Sequence, residues 1–132
     1  MIRSGWHAVS ESPVLAARID TIERGYEYLL AYAAQGRQEE TGTEARATLV
    51  AMHTALIDLG GLASAELGKG ADADVLAYLH TMTGDAQSAR GAIALVLSRA
   101  RISSLLVDNL NASVHLRALL TDVFLIEQAL KS

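Results

Sequence analysis

Apolar side chains recur every three or four positions along almost the whole chain, and this is the period of helices that pack by one face. Leu15, Ile19, Ile22, Tyr26, Leu29 and Ala33 form a first stripe, with Asp20, Glu23, Arg24 and Glu27 turned away from it. Ala45, Leu49, Met52, Leu56, Leu59, Ala63 and Leu67 form a second, and Val75, Leu79, Met82, Ala86, Ala89, Ile93 and Leu97 a third. Hydrophobic residues make up 51% of the 132 positions and aromatic ones only 5%, with Ala and Leu leading, which favours helix over sheet. The expected fold is all-α, an antiparallel bundle of four to five helices in one domain spanning residues 1–132.

Local punctuation predicts helices at about 12–36, 42–67, 72–98 and 102–131. Ser12 and Pro13 read as an N-cap and first helical residue, since proline lacks the amide that would go unpaired there. Gly36 closes that helix. Thr41 to Glu44 have the spacing of a capping box. Gly60-Gly61 weakens the second helix and is expected to kink it or end it early, with Gly68-Lys69-Gly70 as the firmer stop. Asp72 and Asp74 suit the next N-terminus, and Arg99 and Arg101 suit a C-terminus where the third stripe loses phase. Asn111 and Ser113 are candidate internal caps that split the last helix near residue 110.

Composition narrows the chemistry. Without cysteine there is no disulfide, thiolate zinc site or thiol nucleophile. Net charge is −4 and the Arg and Lys residues are scattered, so the basic footprint of a nucleic-acid binder is missing and no nucleic-acid partner is expected. Residues 1–9 have neither the basic start nor the apolar run of a signal peptide, and no uncharged apolar stretch reaches membrane-spanning length. The expectation is a cytoplasmic chain with no membrane partner, and its alanine richness points to a bacterial source. The glycines form no phosphate loop, and no cofactor is expected. His53, His80 and His115 lack a second histidine or a carboxylate three or four residues away on their predicted helices, and His7 precedes them all, so no metal site is expected.

Two sets of residues invite a functional reading. Ala77, Gly84, Gly91 and Ser98 repeat every seven residues on the outer face of the third helix, where His80 also projects. Such a row of small side chains lets another helix approach closely. Alternatively, an accessible imidazole with no bulky neighbour one turn on is what phosphoryl acceptance needs. His80-Thr81-Met82-Thr83-Gly84 resembles the His-x-Leu-Lys-Gly motif of histidine phosphotransfer proteins at the His, the apolar residue and the Gly. That resemblance implies a phospho-acceptor role for His80 beside Gly84. It covers about a dozen residues, with Thr83 in place of the family's lysine and Arg90 where its later glycine falls.

Arg46 and His53 resemble the Arg-x4-6-His pattern of HEPN ribonucleases, which implies that Arg and His from two protomers gather around a phosphodiester. The plainer alternative has His53 half-buried on the flank of its stripe and Arg46 solvated. Ser10-Glu11-Ser12-Pro13 before an amphipathic helix is similar to the opening of flagellar export chaperones, whose bundles bind a helix of a secreted partner.

The C-terminal segment breaks the single-stripe pattern. Leu119, Leu120, Val123, Phe124, Leu125, Ile126 and Leu130 point in nearly every direction around a helix. Either this helix is central, wrapped by the others, or part of it is covered by a protein partner, most simply a second copy. The expected interface residues are Leu119, Phe124, Ile126 and Leu130, with Ala77, Gly84 and Gly91. The expected function is that of a non-enzymatic interaction, adaptor or chaperone-like module acting as a homodimer.

Overall fold

The computed structural model describes residues 12–132, and His7, Glu11 and the stretch 1–9 lie outside them. Among the described residues the fold is all-α. Its helices are α1 (Pro13–Ala33), α2 (Ala45–Leu56), α3 (Leu59–Leu67), α4 (Ala73–Leu97), α5 (Ser104–Ala112) and α6 (His115–Lys131). The count exceeds four to five because two of the four expected runs are broken.

The first break falls at Ile57 and Asp58, before the glycine pair. Ile57 is extended and Asp58 is left-handed at φ 52°, which bends α2 and α3 by 47°. Gly60 and Gly61 instead lie in the first turn of α3. A Cβ on Gly60 would collide with the Thr83 side chain, so this glycine serves the close approach of α3 to α4. The second break falls at Val114, left-handed at φ 60°, a conformation that costs a β-branched residue more than most. Neither Asn111 nor Ser113 caps a helix N-terminus. The Asn111 amide donates to Leu29 O and the Ser113 hydroxyl to Leu110 O.

The helix starts also depart in part from expectation. Asp72 caps α4 by accepting from the Val75 amide, and Ser103 caps α5 by accepting from Leu106. The capping box at Thr41–Glu44 does not form. α2 begins at Ala45, whose amide donates to the Thr43 hydroxyl, and the Glu44 amide donates to the Tyr28 hydroxyl. α1 stops at Ala33, three residues before Gly36.

One hydrophobic cluster takes residues from all six helices. α4 packs most extensively against α6 and also meets α2, α3 and α5, while α1 lies against α2 and α5. The stripes supply this core. Leu15, Ile22 and Leu29 of α1, Leu49 and Met52 of α2, and Leu79, Met82 and Ile93 of α4 are all essentially fully buried.

A polar clamp fixes the end of the bundle where residues 34–44 meet residues 98–103. Glu40 accepts from the Ile102 amide (2.8 Å) and from Arg46 Nε (2.8 Å). Arg46 also donates to Leu97 O (3.1 Å) and Arg99 O (2.9 Å). The Ile102 amide, with Arg46 beside it, holds the Glu40 carboxyl below its usual range against the opposing push of burial. Next to it the buried Tyr32 hydroxyl donates to Ile102 O, while the Ser104 hydroxyl donates to Tyr32 O (2.7 Å) and accepts from the Arg37 amide (2.9 Å).

Candidate interaction surface and a buried carboxyl pair

α4 is long enough to pack one side in the core and show the other to solvent along its length. Ala77, His80, Gly84, Gly91 and Ser98 all lie on the exposed side. A Cβ built on Gly84 or Gly91 meets nothing within 4 Å. Glycine in a helix interior costs about 1 kcal/mol relative to alanine, and at these two positions no packing among the described residues requires it. Gly25 shows the contrast, because a Cβ there would run into Met52.

Beside this row lies a groove between α4 and α5 of about 490 Å³. Gly91, Ala92 and Leu95 form one wall, Leu106 and Leu110 the other, and His115 stands at one end. No Asp, Glu, Lys or Arg lines it. Leu95 is 63% exposed, on the same helix face as Gly91.

The expected α6 surface divides differently. Leu119 and Ile126 belong to the chain's own core, and Leu130 is half-buried against it. Burial within the chain therefore removes Leu119 and Ile126 from any exposed interface. Phe124 and Leu125 remain half-exposed. Phe124 lines a groove of about 300 Å³ between α1 and α6 with Leu30, Tyr26, Glu23, Glu27 and Arg117.

The Arg46 side chain is only partly solvated, where the plainer sequence reading has it free in water. At the N-terminal end of α2 it donates to Glu40, to Leu97 O at the end of α4 and to Arg99 O just beyond it. His53, half-buried, lies two turns further along the same helix, roughly 10 Å away along the axis. Within one chain the two side chains do not come together.

A third constellation went unread in the sequence. Asp122 lies on the buried stripe of α6, between Leu119 and Ile126, and is only 5% exposed. The Tyr78 hydroxyl of α4 donates to its Oδ1 at 2.8 Å. Among the described residues Oδ2 accepts from no donor, and Asp85, also on α4, is near enough to act on the Asp122 carboxyl. Burial first, then the Asp85 carboxyl, pushes Asp122 up to about 6, while the Tyr78 hydrogen bond pulls the other way. That same bond, with burial, raises the Tyr78 phenol. A proton on Oδ2 supplies the donor that this site otherwise lacks. The sequence signal is a carboxylate in register with an apolar stripe, at the position where Leu119 and Ile126 predict another core residue.

Among the described residues no group of three or more His, Asp or Glu is arranged to hold a metal ion, and no single helix is long and apolar enough to cross a membrane. The chain matches no protein-family model, no curated protein and no solved structure.

Proposed function

We propose that this chain is a non-enzymatic interaction module that pairs with a second copy of itself through the outer face of α4 and the α4–α5 groove. The observation that carries this reading is the pair Gly84 and Gly91, two helix-interior glycines on an exposed face with open space where their side chains would be. Their cost is repaid where a second helix crosses at that point, because the missing side chains let two backbones approach below the usual 8–10 Å. Leu95 and the uncharged groove beside them supply apolar area for such a contact to bury.

Sedimentation equilibrium tests it. A dimer is expected at tens of micromolar, and Leu95→Glu is expected to give a monomer with an unchanged helical circular dichroism spectrum. Phe124→Glu should leave the dimer intact. A monomeric unmutated chain, or dissociation by Phe124→Glu and not by Leu95→Glu, would overturn the assignment of this face.

A second reading, phosphoryl acceptance, is favoured by the exposure of His80 with Gly84 open one turn away. The imidazole nitrogen attacks the phosphorus of an acyl phosphate and the carboxylate leaves. Incubation with a phosphorylated receiver domain checks this: label that persists in His80→Gln, or no label from several donors, would sink it.

A further inference from the structure

α6 is the last helix of the described chain, and its principal packing partner is α4. Two features weaken its seat. It is joined to α5 through Val114, whose left-handed backbone is unfavourable for a β-branched side chain, and whose side chain, 51% exposed, is not anchored in the core. Halfway along its buried face, Asp122 accepts from Tyr78 of α4 at 2.8 Å, its Oδ2 has no donor among the described residues, and the Asp85 carboxyl of α4 is near enough to act on it. A proton on Asp122 lets it donate across the α4–α6 seam. Without it, a second negative charge sits at a buried site beside Asp85.

We propose that Asp122 and Asp85, with Tyr78, form a proton-operated latch that holds α6 against α4 and lets it swing about Val114 when the Asp122 proton leaves. This stands independently of the pairing face on α4. Loss of the proton to solvent leaves both carboxylates charged and Asp122 Oδ2 without a donor. Opening relieves both by hydrating Asp122. It also uncovers Leu116, Leu119, Val123 and Ile126 on α6, so that loss of the proton exposes an apolar surface.

The groups that act on Asp122 are Asp85 and Tyr78, both from α4. α1 meets α6 through other charges. Glu23 of α1 is raised by burial, then by Asp20, Glu27 and Glu127, and Glu27 and Arg117 flank the groove at Phe124. The ionisable side chain of α5, Asp108, is exposed. Glu23 titrates with the same sign as Asp122, which makes Glu23→Gln the necessary control.

Hydrogen exchange resolved by peptide, corrected for the chemical exchange rate, tests the latch between pH 4.5 and 7.5. The opening equilibrium of α6 should rise by about 25-fold across this range, the part of the roughly tenfold per unit of the Asp122 shift that falls above pH 4.5. Peptides from α2 and α3 should stay more protected than α6 at every pH, because α6 opens without them. Asp122→Asn, whose amide can donate to Asp85 and accept from Tyr78, should abolish the α6 response, and Glu23→Gln should leave it. Asp85→Asn, which removes the like charge but leaves Asp122 buried, should reduce the response without abolishing it. Protection of α6 equal to that of α2–α3, a response that persists in Asp122→Asn, or one undiminished in Asp85→Asn would overturn the latch.

Discussion

Arg46→Met tests whether the clamp at the end of the bundle holds the loops together. Methionine keeps most of the aliphatic stem and removes the guanidinium, so packing is largely preserved while three acceptors lose their donor. Arg99 is exposed, and water replaces that bond at little net cost. Glu40 is different: its side chain is only 14% exposed, and a carboxylate stripped of a charged partner there costs about 1.5–3 kcal/mol. Leu97 O, on a half-buried residue, adds about 0.5–1.5 kcal/mol. Arg46 is itself 38% exposed, and solvent screening draws the total toward the lower end, about 2–3 kcal/mol. Urea denaturation at pH 7 measures this, with an unchanged m-value expected because the exposed area on unfolding is the same. Arg46→Lys should recover less than half, since one ammonium cannot serve a carboxylate and two carbonyls at these positions. A double-mutant cycle with Glu40→Gln should return a coupling of about 1–2 kcal/mol. If Arg46→Met lies within about 0.5 kcal/mol of the unmutated chain, or if the cycle shows no coupling, the clamp does not stabilise the fold and the argument from its geometry is wrong.

Glu40 and Asp122 give opposite pH dependences. Glu40 is lowered in the folded chain, so its contribution is present above its ordinary value of 4.5 and is lost as pH falls through its folded pKa; acid should destabilise the unmutated chain more than Glu40→Gln. Asp122 is raised from 3.8 to about 6, so stability from this group is full below 3.8 and is lost as pH rises through about 6, costing about 3 kcal/mol at pH 7.5. Denaturation at pH 5 and 7.5 should therefore find Asp122→Asn relatively more stable at the higher pH, and the reverse ordering would refute the assignment. Gly84→Ala and Gly91→Ala should each stabilise the monomer by about 1 kcal/mol while weakening self-association; thermal melts and sedimentation on the same samples check both halves. Gly60→Ala should destabilise by about 1–3 kcal/mol in urea denaturation, with Thr83→Ala returning part of the loss.

The helical stripes were legible because their period is a local property, and most of their members lie in the core. The breaks were not. Asp58 and Val114 take left-handed backbones that sequence signals assign to glycine or asparagine, and in both cases the surrounding packing overrides local preference. Counting apolar residues in α6 found that its surface could not all face one core, which is so for Phe124 and Leu125. The same count passed over Asp122, because the partners that make its carboxyl unusual, Tyr78 and Asp85, come from a different helix. Arg46 looked like one more surface arginine for a similar reason: two of its acceptors are backbone carbonyls at and just beyond the end of α4, and backbone carbonyls leave no mark in a sequence. Of the α4 face, the spacing of the small residues was readable, but that Gly84 and Gly91 stand over empty space while Gly25 and Gly60 do not depends on the fold.

The bonds between Tyr32, Arg37, Ile102 and Ser104 also bear on the order in which the chain assembles during synthesis. The C-terminal end of α1 is completed by groups 67 to 72 residues further along. While those residues are still inside the ribosome, α1 can lean on α2, but the buried Tyr32 hydroxyl lacks its acceptor and Tyr32 O lacks its second donor, Ser104. α1–α2 and α3–α4 are therefore the neighbours able to pair early, and closing the long loop between them and α5 is the slow, entropically costly step. A nascent chain arrested before Ser104 emerges should be protease-sensitive in α1, and one released past Ala112 should be protected there.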